Sequence, residues 1–246
     1  MPRDNCSGGI ALKGTKGIGR KIRVMKPLII FDMDGTLYDL GDVMDSVYET
    51  QVSFLQDSKG WSRSRAIQFM SENGLEPHVT KNSKSATELF IRLGFGRKEW
   101  TEYRQARFPI AMIDPGKAAP ASLLERYAHL GDMVLLTSNT MRVCEGILAR
   151  IGIDGNPFRR IVCSDSPEVG EPFNKFQEMK RLMEGEGTES VLSIGDRYQT
   201  DIVPALKLGG CGCLVKGPGS LEKVYVDLEH GRLGSCPVYE YYAKCG

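Results

Sequence analysis

Two aspartates stand two residues apart directly behind an apolar run, in Leu28-Ile29-Ile30-Phe31-Asp32-Met33-Asp34-Gly35-Thr36-Leu37. On an extended chain, side chains two apart point to the same side with Cα atoms roughly 6–7 Å apart, which leaves room for one small tetrahedral group. Carboxylates set against buried apolar sequence are costly unless something cationic lies beside them. An EF-hand does not fit, because the glycine falls at the wrong place and no Glu closes a loop of about twelve residues. Two more polar groups follow apolar runs. Ser138 and Asn139 come after Met133-Val134-Leu135-Leu136-Thr137 and offer a hydroxyl and an amide, with the N–H groups of the helix behind them, to an anion. Gly195-Asp196-Arg197-Tyr198-Gln199-Thr200-Asp201 comes after Val191-Leu192-Ser193-Ile194 and adds two acids. Asp32, Asp34, Asp196 and Asp201 gathered at one edge would repel one another unless a hard divalent cation lay among them, and Mg²⁺ suits such oxygen ligands.

The elements between these groups say how they could meet. The runs at 28–31, 133–136, 161–163, 191–194 and 211–215 read as short strands buried on both faces. Helical spacing separates them, at Ser122–Leu130, Val143–Ile151, Phe176–Met183 and Ile202–Leu208. This alternation predicts an α/β chain with a Rossmann-like, doubly wound parallel sheet, and such sheets bind ligands beyond the carboxyl ends of their strands. Between Leu37 and Pro109 the period is helical throughout. Asp42 is placed to cap a first helix through Leu55, Ser62 begins a second that stops at Asn73-Gly74, Ser85–Leu93 is a third and Glu99–Arg107 a fourth. The expected division is a basic leader over 1–26, a core of 27–40 with 117–246, and an all-helical insertion over 41–116.

Composition narrows the setting. The chain has 246 residues and a net charge of +1, so no strong field toward nucleic acid or a membrane surface is implied. No apolar run approaches the roughly 20 residues of a transmembrane helix. Seven cysteines without repeated pair spacing fit reduced thiols in a cytoplasmic protein better than a disulfide framework. Cys211 and Cys213 alternate within an apolar run, which reads as strand thiols and not as a zinc site. Residues 1–26 hold seven basic residues against Asp4, a net +6, leaving −5 on the rest of the chain. This glycine-rich segment is expected to be disordered, and it has no apolar stretch of a secretory signal.

Taken together these motifs resemble the phosphatases of the haloacid dehalogenase superfamily, whose first motif Asp-x-Asp-Gly-Thr stands here as Asp32 to Thr36. Ser138-Asn139 is similar to the second motif, and Gly195 to Asp201 matches the fourth, Gly-Asp-x-x-x-x-Asp, without a gap. The resemblance covers residues 27 to about 216 and implies a helical cap of the C1 type. It further implies a Mg²⁺-dependent phosphomonoesterase in which Asp32 is the nucleophile and Asp34 the acid and base. Mg²⁺ would be held by Asp32, the Asp34 backbone carbonyl and Asp196, with Asp201 beside them, and phosphate by Ser138 and Asn139. The substrate would be a small phosphorylated metabolite. Leu37-Tyr38 and the modest insertion look like the branch of pyrimidine 5′-nucleotidases, which suggests a nucleoside monophosphate. A phosphomutase, a phosphonatase or a non-catalytic phosphate-binding relative are the alternatives. The chain departs from the family at the third motif, where the expected lysine position holds Glu171 in Gly170-Glu171-Pro172-Phe173-Asn174-Lys175-Phe176. Lys175, four residues on, is the candidate replacement for binding phosphate and the phosphorylated aspartate, with Lys180 the second choice.

Overall fold

The computed structural model describes residues 26–75, 86–153, 157–170, 172–233 and 238–241. The basic leader before residue 26, Ser85 and Glu171 lie outside the described residues. Leu28–Phe31 forms β1, buried along its whole length. Its side chains alternate between two apolar clusters. Ile29 and Phe31 pack with Tyr127, Leu135 and Ile194, and Leu28 and Ile30 with Val134, Leu136 and Met179. A strand covered on both faces has no polar side, which is why the sequence shows a continuous apolar run. Burial of each such side chain contributes roughly 1.5–3 kcal/mol relative to exposure.

Helices α1 (Met44–Lys59), α2 (Arg63–Glu72), α3 (Ala86–Arg92) and α4 (Arg97–Arg107) follow. They share a core of their own, in which Phe54 is surrounded by Phe90, Phe95, Trp100 and Tyr103 at ring-centroid distances of 4.8–5.1 Å. Ser62 caps α2 by accepting from Arg65 N–H. Asp42 does not cap α1, contrary to expectation. It belongs to a 3₁₀ turn, Leu40–Asp42, that Asp39 caps through Gly41 N–H, and its carboxylate meets Lys117 Nζ at 2.6 Å. Leu40 and Val43 are drawn into the sheet's core, so the chain tightens there before α1 can begin. The segment leaving β1 and the one returning from α4 are laced together: Tyr38 bridges Ala118, Ala119 N–H donates to the Leu37 carbonyl at 2.8 Å, and Asp39 N–H to that of Lys117 at 3.2 Å.

The alternating part continues with α5 (Ala121–Leu130), β2 (Asp132–Leu136), α6 (Met141–Arg150), β3 (Arg160–Val162), α7 (Lys175–Glu186), β4 (Val191–Gly195), α8 (Val203–Lys207), β5 (Cys211–Val215), α9 (Leu221–Glu229) and β6 (Val238–Tyr241). The sheet is parallel throughout, in the order β3-β2-β1-β4-β5-β6. Five strands were expected. The sixth, Val-Tyr-Glu-Tyr, lies at the edge with only Tyr241 buried, so it lacks the apolar run that marks the others. Among the described residues no helix is long and apolar enough to cross a membrane. The order reverses between β1 and β4, and that switch point is where an open α/β sheet parts its loops into a crevice.

Candidate active site

The register of β1 against β4 does the first work of assembly. Phe31 pairs with Ile194, and Asp32 N–H donates to the Ile194 carbonyl at 2.9 Å, so Asp32 and Asp196 leave adjacent strands at nearly the same level. The turn behind Asp32 depends on Gly35, at φ +71°, where a Cβ would lie 2.6 Å from Asp196 Oδ2. Beyond Asp196 the chain makes one wide π turn, Tyr198–Ile202, ahead of α8. Asp201 therefore lies inside this turn, where its Oδ2 accepts from Arg197 N–H at 2.9 Å and closes the loop on itself. Wide turns of this kind recur at functional sites. Oxygens of Asp32, Asp196 and Asp201 all lie within 4.8 Å of one another, and Asp32 and Asp201 are 8% and 2% exposed.

Lys175 is the cation in this cluster. Its Nζ donates to Asp32 Oδ1 at 2.5 Å and to Asp201 Oδ1 at 2.7 Å, with its side chain 11% exposed. The segment that delivers it is not a helical turn. Residues 172–174 are not helical, and Lys175 is the first residue of α7, whose start is set by Asn174 Oδ1 accepting from Phe176 and Gln177 N–H. Lys180 lies on the surface within reach of Glu184, far from these acids in role.

Asp34 faces another way. Its Oδ1 accepts from Tyr38 OH at 2.7 Å and from Asn139 Nδ2 at 2.9 Å, and Oδ2 lies 3.0 Å from the same amide. Asn139 was expected at a phosphate. Its amide is buried, must find an acceptor, and finds it in Asp34. Ser138 is exposed at the sheet's edge, whereas the Thr137 hydroxyl is turned in to accept from Asn139 N–H at 3.1 Å. The expected anion-binding end of α6 is narrower than anticipated, because Met141 N–H already donates to Asp165 at 2.8 Å. Two residues without an assigned role also reach the site. Tyr38, fully buried, holds Asp34, and Arg104 in the last turn of α4 donates to the Ser138 carbonyl at 2.9 Å. Tyr38 was visible only as a neighbour of the first motif. Nothing in the sequence around Arg104 sets it apart from the other basic residues of its helix.

The charges are unbalanced. Burial pushes the Asp32 carboxyl up to about 7 against the pull of Lys175, and Asp201 and Asp34 add to the rise. Burial, then Asp32 and Asp201, likewise raises Asp196 well above the usual carboxylate range. Burial opposes the charge of Lys175, but Asp201 and Asp32 more than offset it and hold the ammonium protonated. Asp196 Oδ1 is buried without a hydrogen-bond partner. An orphaned carboxylate oxygen within a crowd of acids is what a hard divalent cation would satisfy, so the residues present fit Mg²⁺. Asp32 and Asp196 have the oxygens for it. Asp201 accepts from Lys175, Thr200 Oγ1 and Arg197 N–H and is better described as the anchor of the lysine.

No family model matches the chain, and no curated protein is similar to it. Solved structures are. A haloacid dehalogenase-like hydrolase from Streptococcus pneumoniae is 15% identical with a TM-score of 0.51, over 87% of this chain and 93% of that one. A haloacid dehalogenase-type hydrolase from Bacillus subtilis bound to magnesium is 14% identical with a TM-score of 0.49, over 83% and 99%. A haloacid dehalogenase-type phosphatase from Thermococcus onnurineus is 18% identical with a TM-score of 0.47, over 77% and 86%. At these identities the likeness is one of architecture: the chain has the Rossmann-like fold found in haloacid dehalogenase hydrolases.

Proposed function

We propose that the protein is a Mg²⁺-dependent phosphomonoester hydrolase of the haloacid dehalogenase superfamily that works through a covalent aspartyl-phosphate. The observation that carries this reading is the meeting of Asp32 with Lys175, Asp196 and Asp201 at the carboxyl edge of β1 and β4. Asp32 attacks phosphorus as the bond from phosphorus to the ester oxygen breaks, and Asp34 gives that oxygen a proton. Water then attacks the phosphorylated aspartate and yields a proton to Asp34, which releases inorganic phosphate and restores Asp32. Lys175 offsets charge on the phosphoryl oxygens and on Asp32, and Ser138 offers a hydroxyl to the same oxygens. Tyr38 and Asn139 hold the Asp34 carboxylate in one orientation. Mg²⁺ held by Asp32, Asp196 and the Asp34 carbonyl would reduce the repulsion between carboxylate and phosphate.

The helices over 41–116 act as the cap that covers the edge, and the substrate is a small phosphorylated metabolite, with no role for nucleic acid or membrane. The pyrimidine nucleotidase likeness rests on Leu37-Tyr38 and on the modest helical insertion. The Leu37 and Tyr38 side chains are both fully buried, so neither is available to a nucleobase. A phosphonatase needs a reactive lysine in the cap, and of the described candidates Lys59 lies over the Phe95 ring while Lys98 is on the surface beside Glu102. The test is turnover of p-nitrophenyl phosphate and a panel of phosphorylated metabolites with and without Mg²⁺, and trapping of a phosphorylated Asp32. Absence of phosphate release from every ester at any metal concentration would overturn the reading.

A further inference from the structure

Arg104 comes to the mouth of the site from α4, and among the described residues it has no carboxylate partner. Its guanidinium is half-buried, and its one hydrogen bond among the described residues, at 2.9 Å, goes to the Ser138 carbonyl. A guanidinium carries five N–H donors in a planar fork, so most of them remain for something else. The hydrogen bond fixes where it stands. Ser138 immediately precedes Asn139, whose amide is on Asp34, so Arg104 is anchored on the Asp34 side of the cluster and away from Lys175. Burial disfavours its charge, the Asp34 carboxylate favours it, and the charge of Arg197, in the loop after β4, opposes it. A guanidinium with donors to spare at the edge of the site suits an anion, which it can bind through two parallel hydrogen bonds. Asp34 is the group that protonates the leaving oxygen in the reading above, so an anion on its side belongs to the leaving group and not to the phosphoryl group being transferred.

We propose that Arg104 is a specificity-determining residue that binds a second anionic group on the leaving group, which makes the substrate a small phosphate monoester carrying a carboxylate or a second phosphate. This rests on the hydrolase reading and departs from a neutral nucleoside as the leaving group.

The test uses pairs of esters that differ only in that group. Glycerate 3-phosphate against glycerol 3-phosphate reports a carboxylate, and 1,3-propanediol bisphosphate against its monophosphate reports a second phosphate. The full chain with Mg²⁺ should favour the charged member of at least one pair by tenfold or more in kcat/KM. Arg104→Met should reduce that preference by roughly 10–100-fold, the scale of one hydrogen bond to a charged group, chiefly through KM. Arg104→Lys should restore part of it. Turnover of these esters by the parent without a preference in either pair overturns this inference and leaves the hydrolase reading standing. An equal loss on both members in Arg104→Met does the same, since it places the arginine on the transferred phosphate or in the fold. No turnover of any ester, p-nitrophenyl phosphate included, overturns the hydrolase reading and this inference with it.

Discussion

Lys175 Nζ lies 2.5 Å from Asp32 Oδ1, although 143 residues separate the two in the chain. The contact joins the first residue of α7 to the first residue past β1, and Asp201 holds the lysine from its other side at 2.7 Å. Lys175→Ala should therefore lose at least ~10²-fold in turnover, the scale of removing one preorganised charge-stabilising group. Lys180→Ala, on the same helix but at the surface, should stay within threefold of the parent. Steady-state kinetics on purified variants separate the two, and normal turnover by Lys175→Ala would remove the lysine from the mechanism.

Asp32→Asn should abolish turnover and phosphate trapping while keeping the circular dichroism spectrum of the parent. The amide matches the carboxylate in shape but cannot form an acyl phosphate. Activity within threefold of the parent, with contaminating phosphatase excluded, would falsify covalent catalysis at this residue.

Metal dependence has a readout apart from activity. Saturating Mg²⁺ should raise Tm, because a ligand present at about 100 times its Kd stabilises the folded state by ~2.7 kcal/mol. Asp196→Asn should lose most of that rise, since its buried Oδ1 has no other partner. EDTA should silence the parent enzyme and Mg²⁺ should restore it. A Tm that is indifferent to Mg²⁺ in the parent would count against the site.

Gly35→Ala should damage both stability and activity. The new methyl would stand 2.6 Å from Asp196 Oδ2 on a backbone at φ +71°. Its cost should be at least ~1 kcal/mol for the conformation alone, with a further loss of Mg²⁺ response as Asp196 is displaced. Thermal melts with and without Mg²⁺ read both effects.

Tyr38→Phe removes a hydroxyl 2.7 Å from Asp34 and nothing else of the buried ring. As a positioning residue it should lower kcat by roughly 10-fold with KM little changed, the size of one hydrogen bond to a charged group. A rise in KM at constant kcat would assign the hydroxyl to substrate binding instead.

Much of this was written in local sequence. Strands β1 and β5 run over the expected residues, because a continuous apolar run between breakers leaves a buried strand few alternatives. Asp32, Asp196 and Asp201 meet because they follow β1 and β4, which end at the same edge of the parallel sheet and are neighbours in it. What local sequence did not hold is equally specific. β6 is an edge strand with one buried residue, and its signal is correspondingly faint. Asn139 reads as an anion ligand until its burial beside Asp34 is known. Arg104 is one basic residue among several on α4, and only the packing of the insertion singles it out.

The strand order also governs how the site comes into being. β1 is made first, yet Leu28 finds one neighbour at Asp132 and the other at Val191. During synthesis at ~5–20 residues per second, the strand that carries Asp32 waits on the order of 10–30 s for its second partner. Throughout that interval the apolar strand has at least one open edge, and the helices of the insertion, whose contacts are local, can fold before it is covered. Refolding should accordingly be slow and sensitive to protein concentration, with the insertion's aromatic cluster acquiring its signal ahead of the edge that gathers the aspartates.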